Sequence, residues 1–286
     1  MVGLRRRCPN RGPHTGTMSR IRGRVPQTTK TPAQIELMRT AGSIVREAHE
    51  TAAAVVGAGV TTAEIDTVVD DVISSHGGEQ LFKGQRVPGT DPFPAATCVS
   101  VNQEIVHGIP GPRKLRAGDI VSIDVGVRYE GWCADAAVTW PVGEVASELR
   151  QLIEATEGAL RIAIRTLRPS IRWSEVAKPM EAHVKHAGFH VIENLCGHGI
   201  GRQMWEAPQV PNYFSPSSDF ELTPGLVLAI EPMVAVGTKA LRLMPDGWTI
   251  ETADGRPAAH FEHTVAITDD GVSVLTAGRN GFGWAQ

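Results

Sequence analysis

Apolar residues along this chain recur with two periods. Ile35, Met38, Ile44, Val45, Ala48, Ala52 and Val55 fall at near-helical spacing, with Pro32 placed as a first-turn proline, so a helix is predicted from Thr31-Pro32 onward. A second helix follows, with Thr62 as its N-cap and Ile65, Val68, Val69, Val72 and Ile73 as its apolar face, ending near Gly77-Gly78. After residue 145 the plan returns. Glu148 to Leu167 read as one helix and Ser174 to His186 as another, closed by Gly188. Shifting the first half by 111 residues lays Glu64 on Glu175, Ile65 on Val176, Ile73 on Val184 and Gly77 on Gly188.

The strands repeat as well. Gly118-Asp-Ile-Val-Ser-Ile-Asp124 and Gly225-Leu-Val-Leu-Ala-Ile-Glu231 are each a glycine, an aliphatic strand and a carboxylate. Ala134-Asp135-Ala-Ala-Val138 is matched by Phe261-Glu262-His-Thr-Val265, and His107-Gly-Ile109 returns as His198-Gly-Ile200. Like elements in like order imply an internal duplication with pseudo-two-fold symmetry. Spacings differ between the halves, so the second carries insertions, including the turns Pro245-Asp-Gly247 and Ala253-Asp-Gly255. The expected fold class is α/β of the α+β kind, an antiparallel sheet covered by helices. It occupies one domain over residues 32–286, with half-repeats at about 32–145 and 146–286.

Composition narrows this picture. With 286 residues, 42% of them hydrophobic, the chain has ample material for a core. The net charge of −3 hides an asymmetry: Arg5, Arg6, Arg7, Arg11, Arg20, Arg22, Arg24 and Lys30 precede the first acid, Glu36. Removing those eight from the 28 basic residues leaves 20 against 31 acids, a body of net −11. Residues 1–31, rich in Arg, Gly, Pro and Thr, cannot bury enough surface to offset ordering entropy and read as a flexible basic extension. That leader has no apolar segment behind it, so it is not a signal peptide, and no stretch approaches the roughly 18 apolar residues of a spanning helix. Cys8, Cys98, Cys133 and Cys196 form no C-x-x-C pair and read as reduced thiols in a cytoplasmic protein.

The chemistry concentrates at the repeated positions. Centring a turn between Tyr129 and Glu130 places Asp124 opposite Asp135 on neighbouring antiparallel strands. Like charges facing across a ladder need a shared proton or a cation between them. Glu231 and Glu262 occupy the matching places in the second half, so symmetry gathers four carboxylates, more than one proton can offset. His198, in Gly197-His-Gly-Ile-Gly201, adds an imidazole among small neighbours that permit close approach. Oxygen donors with some nitrogen suit Mn, Fe(II), Co or Zn better than Ca and exclude a thiolate zinc site. Two such ions about 3.5–4 Å apart would support metal-assisted hydrolysis. The glycines at 197, 199 and 201 do not form G-x-G-x-x-G, because position 202 is Arg, so nucleotide binding is weakly indicated. His183, His186 and His190 read as surface residues, and a Cys196 nucleophile would leave four carboxylates unexplained.

These residues resemble type I methionine aminopeptidases of the pita-bread fold, over residues 32 to 276. The resemblance rests on Asn102-Gln-Glu-Ile-Val-His107-Gly-Ile-Pro, Ser122-Ile-Asp124-Val, Gly197-His198-Gly-Ile-Gly, Ile230-Glu231-Pro-Met and Phe261-Glu262-His-Thr. It implies five metal ligands: Asp124, Asp135, His198, Glu231 and Glu262. It also implies removal of an N-terminal Met from nascent polypeptides, with a metal-bridged water as nucleophile. Asp124 would chelate one ion, Asp135 and Glu262 would bridge both, and His198 and Glu231 would complete the other. Glu231 would take a proton from the bridging water, while His107, read as the symmetry mate of His198, would contact the substrate amide. Trp248, Phe93 and Cys98 match positions lining a Met-sized pocket.

Three positions depart from the family. The histidine expected after Gly-His-Gly-Ile-Gly-x-x-x is Trp205, an N–H donor that cannot titrate, placed here as a substrate contact. The glutamine expected two residues before the final Glu is His260, which can stand in for it, and Thr90 lies where the family has a tyrosine. These departures point to a paralogue with altered methionine specificity. Alternatives are a proline-specific aminopeptidase or prolidase-like enzyme, and a non-catalytic metal-binding relative. The expected protein is a monomer without membrane contact. Its basic leader reads first as a plain extension, with Met18 as a second possible start, and next as a ribosome contact through RNA phosphates.

Overall fold

Thr31 starts the first helix by capping it. Its side chain accepts from the Gln34 N–H while the Gln34 side chain accepts from the Thr31 N–H at 2.9 Å, and Pro32 fills the first turn. The resulting α1, Pro32–Val55, buries Ile35, Met38, Ala41, Ile44, Val45, Ala48 and Ala52 along one stripe. Helix α2, Thr62–Ser75, is capped by Thr61 rather than Thr62, because Glu64 reaches back to the Thr61 N–H at 2.7 Å. Helices α3, Ser147–Thr166, and α4, Trp173–His186, complete the set. Helices α2 and α4 are each 14 residues long, and in each a first-turn glutamate, Glu64 or Glu175, reaches back to accept from the N-cap N–H. Gly77 and Gly188, just beyond them, both turn with positive φ, at 69° and 85°. The helical repeat legible in the sequence is therefore a repeat in space.

This computed structural model describes residues 27–278. The expected flexible extension lies outside the described residues as far as residue 26. Of its last five residues, Lys30 is buried, its N–H bonded to the Gly225 carbonyl at 2.7 Å and its Nζ to Glu206 at 2.7 Å. No helix among the described residues is long and apolar enough to cross a membrane.

Each half packs its helices on its own strands. Helices α1 and α2 bury Ile44, Val45, Ile65, Val69 and Ile73 against Val121, Ile123, Val125 and Val127 of the Ile120–Tyr129 strand. Helices α3 and α4 bury Leu152, Leu160, Val176 and Met180 against Leu228, Ile230, Val265 and Ile267. In the first half, Ile120–Tyr129 lies between Cys98–Val101 and Trp132–Pro141, all antiparallel. In the second, Val227–Ile230 lies between Gly197–Gly199 and His263–Thr268.

Register corrects the sequence reading at three points. Tyr129 pairs with Trp132, so the turn is the two-residue Glu130-Gly131, with φ of 49° and 77°, a type I′ hairpin. Asp124 then faces Ala137 and Asp135 faces Gly126, which makes the two carboxylates diagonal neighbours on one face rather than directly opposed. The halves meet where Ala137 and Glu262 exchange backbone hydrogen bonds of 3.4 and 2.8 Å. On one side of this pair, the Thr264 hydroxyl bonds both the N–H (2.9 Å) and the carbonyl (2.8 Å) of Asp135. On the other, the Thr139 hydroxyl bonds the N–H (2.9 Å) and carbonyl (2.8 Å) of His260. The pseudo-two-fold therefore exchanges Thr139 with Thr264 and Asp135 with His260, not Asp135 with Glu262. It also equates Asp124 with Glu231. Since Ser100 faces Ser122 and His198 faces Ala229, the mate of His198 is Ser100 rather than His107.

Candidate metal centre

The second half breaks its hairpin where the first does not. Val227–Ile230 and Met233–Ala235 pair with His263–Thr268 and Ala258–His260 in one continuing register, interrupted at Glu231-Pro232 and Phe261-Glu262. Pro232 has no N–H to give a ladder. The interruption leaves Glu231 and Glu262 facing each other beside Asp124 and Asp135. Gly197 and Gly199 let the His198 strand enter this space: a Cβ on Gly197 would sit 2.2 Å from the Ala229 carbonyl oxygen, and on Gly199 2.3 Å from that of Ala207. Here the small residues admit neighbouring backbones, rather than the ligand cluster itself.

The expected ligands converge. Donor atoms of Asp135, His198 and Glu262 lie within 4.8 Å of one another, and so do those of Glu231, His260 and Glu262. Asp124 joins through Asp135, whose pKa its charge raises. Asp135, His198, His260 and Glu262 are all buried, and Glu231 is half-buried. Oxygens of Asp124, Asp135 and Glu262, and Nε2 of His260, are buried without a hydrogen-bond partner. Orphaned anionic oxygens at such depth are costly, and a divalent cation is the partner they fit.

Electrostatics agrees. Burial pushes the Asp124 carboxyl up to about 7. Burial and then the Glu262 and Asp124 charges push Asp135 well above the usual range, and burial, Glu231 and Asp124 do the same for Glu262. The imidazoles shift the other way. Desolvation lowers His198 to about 4, and its Nδ1, 3.0 Å from the Gly199 carbonyl, carries the proton, which turns the Nε2 lone pair to the carboxylates. Desolvation, with His107 and His49 adding repulsion, lowers His260 to about 3. The two neutral imidazoles offer their lone pairs, and the crowded carboxyls of Asp124, Asp135 and Glu262 hold protons that a cation would displace.

Beside the carboxylates stands an apolar wall. Trp248 meets Phe93 edge-on at 5.3 Å and His107 at 6.4 Å, while its indole N–H donates to the Asp91 carbonyl at 2.8 Å. Phe93, Trp248 and Cys98 share one buried cluster, and Cys98 faces Asp124 across the ladder. Burial, then Asp124 and Asp135, drive the Cys98 thiol upward, so it lines the wall as a neutral group. His107 sits in the left-handed region at φ 60°, and desolvation lowers its pKa to about 4 against a hydrogen bond to the Trp248 backbone. Trp205 differs. It is 39% exposed, on the bend between Gly201 and Glu206, at the rim rather than in the wall. The expected surface histidines divide similarly: His186 and His190 are exposed, while His183 is half-buried over Gly158. No disulfide joins Cys98, Cys133 and Cys196.

Sequence reasoning placed all five expected ligands together but gave His260 no ligand role. The signal was available, since His260 and Glu262 are two residues apart.

Comparison with known proteins agrees with this geometry. Residues 36–269 match the model of metallopeptidase family M24. The chain is 40% identical over 247 residues to methionine aminopeptidase 1 of Bacillus subtilis, covering 86% of this chain and 98% of that one. It is 37% identical over 268 residues to methionine aminopeptidase 1 of Mycobacterium tuberculosis, covering 91% and 99%. The crystal structure of methionine aminopeptidase from Thermotoga maritima superposes with a TM-score of 0.84 at 41% identity, over 88% of this chain and 100% of that one. The prolidase from Pyrococcus horikoshii, at 21% identity and a TM-score of 0.71, shares the fold, and this chain covers 64% of it. The chain belongs to metallopeptidase family M24 and, within it, to the methionine aminopeptidases.

Proposed function

We propose that this protein removes the N-terminal methionine from nascent polypeptides with the aid of two divalent ions of the Co, Mn, Fe(II) or Zn class. The observation that carries the reading is that two carboxylate–imidazole triads share Glu262 beside the Trp248–Phe93 wall. Asp124, Asp135, His198, Glu231 and Glu262 would hold the ions. When bound, such ions polarise a carbonyl and lower the pKa of water toward neutrality.

The remaining roles fall to the chain's own groups. Glu231, with His198 Nε2 and His260 Nε2 each 3.7 Å from its oxygens, takes a proton on its carboxylate and passes it to the leaving amine. His107, neutral and held against Trp248, hydrogen-bonds the substrate amide. Phe93, Cys98 and Trp248 wall the methionine side chain, and Trp205 offers an indole N–H at the rim. The protein works as a cytoplasmic monomer on nascent chains. Its arginine-rich residues ahead of Lys30 read first as a plain extension; were they instead to contact ribosomal RNA, deleting residues 1–26 would abolish ribosome co-sedimentation at low salt.

The test measures metal content together with release of Met from Met-Ala-Ser and of Ala from Ala-Pro. Metal-dependent release of Met alone is expected. Release of Ala alone would favour the prolidase-like alternative, and a metal-free protein that cuts neither peptide would favour a binding relative.

A further inference from the structure

His260 has the surroundings of a ligand rather than of a core histidine. It is 1% exposed, and its Nε2 is buried without a hydrogen-bond partner. That nitrogen lies 3.7 Å from Glu231 Oε2 and 3.8 Å from Glu262 Oε2, too far for hydrogen bonds. The spacing suits a shared ion: two donors each about 2.1 Å from one metal stand roughly 3.0–4.2 Å apart, according to the angle between them. The backbone is fixed as a ligand position demands, since the Thr139 hydroxyl binds both the N–H and the carbonyl of His260 and Met233 pairs across the ladder. Finally, the pseudo-two-fold that exchanges Thr139 with Thr264 puts His260 in the place of Asp135, which is itself in the ligand set.

We propose that His260 is a sixth protein ligand, its Nε2 binding the divalent ion that Glu231 and Glu262 share. The inference rests on the metal-centre reading above and adds a second imidazole to it. Two imidazoles move the donor set away from hard, all-oxygen sites. Preference should therefore shift toward Zn and Co and away from Mn.

The experiment uses the full chain, wild type and His260→Gln, stripped of metal and reloaded with Co(II). X-ray absorption at the cobalt edge counts imidazoles from their outer-shell scattering. The wild type should show two per protein and the variant one. In the wild type alone, proton NMR of the Co(II) form should show two exchangeable, hyperfine-shifted imidazole N–H signals, a reading that does not depend on the variant folding. Calorimetric titration should show Zn(II) affinity falling at least about tenfold further than Mn(II) affinity in the variant. Full cobalt stoichiometry with one imidazole in the wild type would overturn the His260 assignment and leave the metal centre standing. A wild-type protein that takes up no ion would overturn both.

Discussion

Replacing Lys30 with methionine keeps most of the side-chain volume and removes one charge from a buried pair. Lys30 Nζ lies 2.7 Å from Glu206 Oε2 and 2.8 Å from the Thr28 carbonyl, with 2% and 12% of the two charged side chains exposed. Burial pulls the Lys30 pKa down and Glu206 holds it up, so the ammonium depends on its partner. Removing one member of a buried pair costs about 3–5 kcal/mol, because the other charge stays behind without compensation. The residual exposure of Glu206 argues for the lower end, about 3 kcal/mol. In a domain of this size that lowers Tm by about 6–12 °C. Glu206 also pairs with Gly199 and accepts from the Gln203 N–H, so the cost falls on the loop that carries Trp205 beside His198. Thermal unfolding of Lys30→Met, Glu206→Gln and the double variant forms a complete cycle. The double variant should recover much of the loss of Lys30→Met, since no charge then remains unpaired in the interior. A Tm within about 2 °C of wild type for Lys30→Met, or a double variant no better than the sum of the singles, would refute the reasoning.

Three further outcomes are expected. In metal-free protein the raised carboxyls of Asp124, Asp135 and Glu262 make the folded state bind more protons than the unfolded state between about pH 4 and 7, so stability falls as pH rises through that window. Because a cation competes with those protons, the Tm gain on adding Mn(II) or Co(II) should be larger at pH 8 than at pH 6, and an equal gain would contradict this. His49, fully buried with Nε2 2.9 Å from the Ala136 carbonyl, has its pKa lowered by desolvation to about 4. Its stability contribution is complete above about pH 6.5 and is lost as pH falls toward 4, by about 3 kcal/mol. Urea midpoints of His49→Gln should therefore be flatter across that range than those of wild type. Trp205→His places a titratable imidazole at the rim and should raise turnover on a Met-Ala peptide; no change or a loss would remove Trp205 from the account of specificity.

The helices were legible in the sequence because their signals are local. Thr31-Pro32 and the 3.6-residue stripe from Ile35 to Ala52 involve residues within a few turns of one another, and the repeat of Thr62–Ser75 as Trp173–His186 needs only the pattern inside each segment. The convergence of the acids was legible too, because an acid that follows an aliphatic strand, as Asp124 and Glu231 do, needs compensation wherever the strand lies. Register was not legible. The turn at Glu130-Gly131 needs positive φ at both residues, and a glutamate gives little sign of it, so the pairing of Asp124 with Ala137 emerged only when the strands were placed. The join between the halves, at Ala137 and Glu262, depends on residues 125 positions apart in the chain, which no local pattern encodes. That join fixes which residues are two-fold mates, separates His107 from His198, and brings His260 to the carboxylates. Periodicity and residue chemistry thus determined the helices and the donors, because both are properties of short segments. Long-range strand pairing alone decided how the donors face one another, because side-chain direction on a sheet alternates with every residue of register.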